Sequence, residues 1–175
     1  MAKKTGWGLA ALLAGAVLCA DGEWADFTGI WDLDLPASRS KALDEIMKLQ
    51  GLNWVERTVA GQTSVRHCIR QESNLVLRVD IRSSLQNRSE IQYLDGRETM
   101  SVNRRGESIP TTTSWTNEGA KIVTTAPVKT GDGRSGQVLV SRWLGEDGKT
   151  MYLGTEYRLK GQPSLEAVRV FHKVE

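Results

Sequence analysis

Hydrophobic and polar residues alternate in short runs along most of this chain, from residue 28 to its end. Apolar residues at every second position indicate strands with one buried face. The clearest run puts Leu75, Leu77, Val79 and Ile81 on the inward side, with charged neighbours outward. The pattern, broken by turn-forming residues, predicts ten strands, at 28–35, 64–71, 75–83, 88–94, 98–104, 109–116, 121–128, 137–144, 150–159 and 166–174.

Only one stretch has helical periodicity, and it lies between the first and second predicted strands. Residues 38–50 form an amphipathic segment with Ser40 as its cap and Gly51 as its stop, and a second helix is predicted from Asn53 to Gly61. The sequence therefore predicts an all-β fold, a ten-stranded antiparallel up-and-down barrel with a helix-turn-helix lid between strands 1 and 2. A meander of this length can close on itself, abolish its edges and enclose one apolar ligand.

The first twenty residues have the layout of a secretory signal peptide. Lys3 and Lys4 precede an apolar run, residues 7–20, that is too short to span a bilayer comfortably. We expect a signal peptide at 1–20, one barrel domain at 21–175, a periplasmic or secreted location and no integral membrane span. Lipoprotein anchoring through Cys19 is the alternative to simple cleavage, although Leu18 is large for the position before a lipidated cysteine.

Charge narrows the classes of partner. The chain has 23 basic and 21 acidic residues, and removal of the signal would take away two lysines and no acid. A near-neutral surface gives no reason to expect nucleic acid or an anionic membrane as a partner. Cys68 would be the single cysteine of the mature chain, so no internal disulfide, metal site or cofactor is expected. We expect a monomer that binds a hydrophobic small molecule.

Two arginines stand out in the late strands. Arg142 shares a predicted face with Val138, Val140 and Leu144, and Arg169 shares one with Phe171. A buried guanidinium must find an anion, because burying it unpaired costs more than one hydrogen bond returns. The anion would be a ligand carboxylate, or else an internal glutamate; simple exposure is the third interpretation. His67 is also predicted to point inward, where a lone histidine is more often a hydrogen-bonded core residue than a ligand of a metal or haem.

Several short motifs resemble those of the intracellular lipid-binding proteins, the fatty-acid-binding branch of the calycins. They are FTGIWDL at 27–33, MKLQGLNWVER at 47–57, SSLQNRSEI at 83–91, VSRWL at 140–144 and RVF at 169–171. The last resembles the R-x-Y carboxylate clamp of that family, with Phe171 lacking the tyrosine hydroxyl. The export signal is foreign to the cytosolic carriers of that family, so the resemblance points to an exported, bacterial relative.

The resemblance implies a set of ligand-binding residues. It places Arg142, Arg169 and Phe171 at the polar end of the ligand and Leu85 at the position of a gating side chain near the ligand portal. It adds Met47 and Trp54 from the helical stretch, and we include His67 because of its inward parity.

The predicted function is binding, and transport, of a lipid-like or other apolar small molecule inside an exported barrel, with a fatty acid among the candidates. No Ser/His/Asp, Cys/His or metal constellation has a spacing that demands catalysis. The alternatives are a lipid isomerase or cyclase on the same barrel, and a structural module whose barrel is filled by side chains.

Overall fold

The computed structural model describes residues 24–102 and 106–174. The predicted signal peptide at 1–20, with Cys19, lies outside the described residues and stays a prediction, as does the end of the predicted strand at 98–104. Among the described residues, no helix has the length and apolar character needed to cross a bilayer.

Ten antiparallel strands form a single sheet in the described part of the chain, in the order β4-β3-β2-β1-β10-β9-β8-β7-β6-β5. Neighbours in sequence pair with each other, and β1 also pairs with β10, so the meander curls into a barrel and the predicted fold class is confirmed. The strands are β1 Gly29–Asp34, β2 Val65–Ser73, β3 Val76–Ser83, β4 Asn87–Tyr93, β5 Asp95–Val102, β6 Ser108–Thr116, β7 Lys121–Lys129, β8 Ser135–Leu144, β9 Thr150–Leu159 and β10 Leu165–Lys173.

The barrel has a seam, which corrects the expectation that closure abolishes its edges. β4 and β5 stand at the two ends of the strand order and form no ladder with each other. β4 ends at Tyr93 and β5 begins at Asp95, and a one-residue link is too short for a hairpin turn. Instead, the N–H of that link, Leu94, donates to the Leu75 carbonyl at 2.9 Å.

The helices lie between β1 and β2, as predicted: α1 Leu35–Ser38, α2 Lys41–Leu49 and α3 Trp54–Ala60. The Ser40 side chain accepts a hydrogen bond from the Leu43 N–H at 3.0 Å, so it caps α2. The Asn53 side chain caps α3, and the Glu56 carboxylate accepts from the Asn53 N–H to complete a capping box. Both predicted caps are confirmed.

One short helix was missed and one local prediction was wrong. The missed helix is α1, which has Pro36 in its first turn and follows the end of β1; the Asp34 carboxylate caps it by accepting from the Ala37 N–H at 2.9 Å. Leu75 was expected to face inward, but it lies in the β2–β3 turn and is 54% exposed. The inward side of the alternation therefore begins at Leu77 rather than at Leu75.

Two apolar clusters occupy opposite ends of the barrel interior. One contains Phe27, Trp31, Phe171 and Met151, near the start of β9. The other joins Ile46 of α2 to Tyr157 and Leu159, near the end of β9. The helices therefore cover one end of the barrel, and the aromatic cluster fills the other.

Candidate functional site

Arg142 and Arg169 lie in one row across three neighbouring strands. Leu153 on β9 is directly opposite Arg142 on β8 and directly opposite Arg169 on β10. Directly opposed residues point to the same face of a sheet, and two strand spacings put the two arginine Cα atoms about 10 Å apart. The next inward row toward the aromatic cluster holds Met151 and Phe171. The arginines therefore project inward just above that cluster, roughly 13 Å along β9 from Tyr157 under the helices.

The two arginines differ in how far they are removed from solvent. Arg142 is only 6% exposed, and Arg169 is half-buried. Burial lowers the pKa of Arg142 to about 10, with the Glu90 charge opposing this shift and the Arg169 charge adding to it. Burial also lowers the pKa of Arg169. Because a pKa of about 10 leaves the Arg142 side chain protonated at neutral pH, this part of the interior carries positive charge. Simple exposure of Arg142 is therefore wrong.

These buried cations have little compensation within the described residues. The Arg142 Nη1 atom donates one long hydrogen bond, at 3.4 Å, to Gln92 Oε1, and its Nε has no partner there. The Arg169 side chain makes neither an ion pair nor a hydrogen bond with the described part of the chain, and its backbone belongs to the β9–β10 ladder. Glu90 is the nearby acid, and its carboxylate forms an ion pair with Arg88. The structure thus puts two guanidinium groups together without giving either its own carboxylate.

His67 and Phe171 lie beside this row. The His67 side chain is 2% exposed, and its ring centroid is 4.6 Å from that of Phe171. Burial, followed by the charges of Arg142, Arg169 and Arg88, lowers the pKa of His67 to about 2, so its imidazole is neutral. Its Nδ1 atom has no hydrogen-bond partner among the described residues. Four of the predicted ligand-binding residues, Arg142, Arg169, His67 and Phe171, are therefore brought to one region.

Sequence reasoning missed the polar residues of β4. Arg88, Glu90 and Gln92 pair with Ile81, Val79 and Leu77 of β3, whose side chains face the interior. Ile91 consequently points outward and is exposed, although it looks like the buried residue of this strand. Register could have revealed this, since the short β3–β4 turn fixes which residues of β4 stand opposite the apolar face of β3.

A wall of threonines, also missed, lies on the strands that continue the sheet beyond β8. Thr99, Thr111, Thr113 and Thr124 occupy successive inward positions on β5, β6 and β7. Their hydroxyls bond to each other, with Thr113 Oγ1 2.9 Å from Thr124 Oγ1 and Thr99 Oγ1 3.1 Å from Thr111 Oγ1. The interior therefore has a cationic side and a hydroxyl side between its two apolar ends.

The other predicted ligand-binding residues lie away from this region. Leu85 is in the β3–β4 turn and is 55% exposed, and Trp54 begins α3 with 71% exposure. Met47 is half-buried on α2. Their contact with a ligand, and the gating role of Leu85, stay predictions.

Other surface features do not involve the arginine row. An open groove of about 420 Å³ lies along β1, β2 and β3 and includes Thr28, Cys68 and Asp80, none of which belongs to that row. In residues 24–102 and 106–174, no three His, Cys, Asp or Glu side chains come together as a metal site would require.

No model of a protein family and no curated protein sequence matches this chain. Solved structures do match. The REP1-NXSQ fatty acid transporter is 18% identical, with a TM-score of 0.64 over 86% of this chain and 98% of that one. A Schistosoma mansoni fatty acid binding protein in complex with arachidonic acid is 17% identical, with a TM-score of 0.62 over 85% and 96%. As-p18, an extracellular fatty acid binding protein, is 16% identical, with a TM-score of 0.58 over 84% and 95%.

These identities are low, but the match extends over nearly the whole length of each barrel and includes the helices between the first two strands. The chain has the fold of the fatty-acid-binding proteins.

Proposed function

We propose that this protein is an exported carrier that binds an acidic, lipid-like small molecule inside its barrel. The observation that carries the proposal is the pair of inward arginines, Arg142 and Arg169, with no carboxylate of their own in the described part of the chain. A buried cation without a counter-ion is costly, and the cost is relieved when a ligand supplies the anion.

The distance between the arginine row and the helix-covered end of the barrel fits the apolar tail of such a ligand. Roughly 13 Å separates the arginine row from Tyr157 below the helices, which is long enough for an extended apolar chain of medium length. The solved structure from Schistosoma mansoni holds arachidonic acid, which is an acid with a long apolar tail. The headgroup of our proposed ligand lies at the arginines, and its tail points toward α2 and α3.

Binding is favoured over turnover by the chemistry of His67. It is buried beside the arginines, where a base acting on an enclosed lipid would be needed. Its pKa of about 2 makes it a weak base at neutral pH, so it is poorly matched to proton abstraction. The side-chain-filled module is disfavoured for a different reason, because a purely structural core pairs or omits its buried charges.

Export rests on the amino-terminal sequence. Residues 1–20 have the charge and apolar run of a signal peptide, and As-p18 shows that this fold occurs in an extracellular protein. Intact-mass analysis of the protein from its own compartment tests this part. A mass that begins near residue 20 or 21 is expected, whereas a mature form that retains Trp7 or carries a lipid on Cys19 would contradict it.

The binding proposal is tested with an acid and its ester. Arg142→Met and Arg169→Met each keep much of the apolar stem but remove the charge, and each should weaken dodecanoic acid by about tenfold to a hundredfold. Methyl dodecanoate should bind each variant nearly as it binds the parent protein. Arg158→Met, on the outward face of β9, is the matched control and should change neither ligand.

The affinities are measured by displacement of a fluorescent lipid, with circular dichroism to verify folding. If acid and ester lose affinity equally, or neither does, the arginines do not recognise an acidic headgroup and the proposal fails.

A further inference from the structure

The inner wall of the barrel has more positive than negative side chains, and more than one positive charge is left without a partner. Arg142 and Arg169 face inward by strand register, and Arg88 of β4, which has the same parity, is itself exposed. Among the described strand residues that face inward, Glu90 is the acid, and its carboxylate is already paired with Arg88. Two guanidinium groups are thus left without a protein counter-ion.

One carboxylate compensates only one of them. A carboxylate offers two oxygens and a single negative charge, which one guanidinium in the bidentate arrangement uses completely. A phosphate monoester offers three oxygens and about two negative charges at neutral pH, so each guanidinium can hold its own pair of contacts. Arg142 and Arg169 flank Leu153 from opposite sides, so their long side chains can reach one tetrahedral group between them.

The residues around the row fit the same chemistry. Phe171 gives a fully buried ring and no hydroxyl, so nothing on that side completes a carboxylate clamp. The neutral His67 has an unpartnered, buried Nδ1, which in the tautomer with its proton on Nδ1 can donate to a further ligand oxygen. This donor adds no charge, so it leaves the count of two unchanged.

The geometry points to a ligand whose headgroup is a dianion, namely the phosphate monoester of a lipid-like alcohol, held between Arg142 and Arg169. This inference rests on the proposed function, since it concerns the same interior, but it replaces a monocarboxylate with a doubly charged group as the preferred ligand.

The experiment compares four probes of equal chain length on the parent protein at pH 7.5: dodecyl phosphate, its methyl diester, dodecanoic acid and dodecanol. The diester keeps the phosphorus but carries one charge. We expect dodecyl phosphate to bind at least about tenfold more tightly than either monoanion, equivalent to about 1.4 kcal/mol, and dodecanol to bind weakest. Titration calorimetry measures all four.

Lowering the pH to 5.5 gives an independent readout. The second pKa of a phosphate monoester is about 6, so dodecyl phosphate becomes mostly a monoanion while its methyl diester does not change. The advantage of the monoester over the diester should then shrink severalfold. The basic groups that face the row are Arg88, Arg142, Arg169 and His67. A pKa of about 10 keeps Arg142 charged and a pKa of about 2 keeps His67 neutral over this range. Glu90→Gln removes the carboxylate from β4 and should leave the effect of pH in place.

Variants separate charge from packing. Arg169→Met should abolish the preference for the monoester over the diester, because one remaining guanidinium matches one charge. Glu90→Gln keeps both arginines and should increase the preference by a few fold, which covers the case in which an arginine variant does not fold. Arg158→Met, whose guanidinium bonds to Glu156 outside the barrel, should behave as the parent protein does.

The outcomes separate the two proposals. If dodecanoic acid binds well above dodecanol and dodecyl phosphate is no tighter, the dianion inference is overturned and the acidic-lipid proposal stands. If neither acid binds better than dodecanol, both fail. If the monoester is tighter but the difference persists unchanged in Arg169→Met, the preference does not come from this arginine pair and the inference fails.

Discussion

The arginines of the barrel's outer surface and those of its interior are treated in opposite ways. Outside, Arg66 bonds Asp32 through two 2.6 Å contacts, and Arg158 bonds Glu156 through two at 2.8 Å. Exposed pairs of this kind contribute only about 0–1 kcal/mol each. Inside, where an acid would matter far more, Arg142 and Arg169 have none in the described residues. The difference shows that the interior arginines, unlike the outer ones, gain no stability from a carboxylate of their own among the described residues.

The difference between outer and inner arginines should disappear if the inner arginines are given an acid of their own. Leu153→Glu puts a carboxylate directly opposite both Arg142 and Arg169. It should reduce the affinity for dodecanoic acid by at least about a hundredfold, because charge-assisted bonds worth about 1.5–3 kcal/mol each are then made within the protein. Leu153→Gln has the same shape without the charge and should lose much less. Equal losses in the two variants would mean that only the size of the side chain matters.

Removing an interior charge should stabilise the ligand-free protein. We expect Arg142→Met to raise the free energy of unfolding by about 1–4 kcal/mol, since a buried cation without an acid is replaced by an apolar side chain of similar length. Arg158→Met should change it by less than about 1 kcal/mol. Urea unfolding of the two variants without ligand measures the contrast, and a clear loss of stability in Arg142→Met would show that the buried guanidinium supports the fold.

Burial of His67, together with the nearby arginine charges, should also make stability depend on pH. Its pKa is about 2 in the folded protein and near 6.5 when unfolded, so below about pH 6.5 only the unfolded state gains the proton. Stability is therefore complete above pH 6.5 and falls as the pH decreases toward 2. His67 accounts for a loss of about 2 kcal/mol between pH 7 and pH 5. His67→Gln should show a correspondingly smaller loss in urea unfolding at the two pH values; parallel losses would contradict this assignment.

The smallest change adds one neutral donor beside the arginines. Phe171→Tyr gives the R-x-Y pattern, and its hydroxyl should strengthen binding of dodecanoic acid by about threefold to tenfold, as expected for one hydrogen bond of about 0.5–1.5 kcal/mol. The free energy of unfolding should decrease somewhat, because Phe171 is fully buried and packs on His67. Unchanged affinity in a folded variant would place the headgroup away from residue 171.

The parts of the site that sequence could predict are those where strand alternation is unbroken. Arg142, Arg169 and His67 each lie in a strand with apolar residues two positions away on the same side, and a period of two then assigns the face. The helix caps Ser40 and Asn53 were predictable for a similar reason, since the signal is carried by residues within one turn.

β4 was not predictable in this way. It lies at the seam, where its outward Ile91 is exposed and its inward Glu90 faces other charges. Hydrophobicity therefore gives the wrong face, and only pairing with β3 gives the right one. Whether Arg142 and Arg169 have an acid beside them depends on how β8, β9, β10 and β4 are arranged together. No single segment of the sequence shows that arrangement.

Because β4 and β5 do not pair with each other, the barrel is an open sheet at this point rather than a continuous ring of ladders. Widening a ring of continuous ladders stretches backbone hydrogen bonds around its whole circumference, and each bond has a strong distance dependence. Here the perimeter can grow where β4 meets β5 without lengthening any ladder, because no ladder joins these two strands. The inner wall of β4, with Arg88, Glu90 and Gln92, moves with that edge. An expansion at this seam would therefore move Glu90, the inward acid among the described strand residues, away from the arginine row.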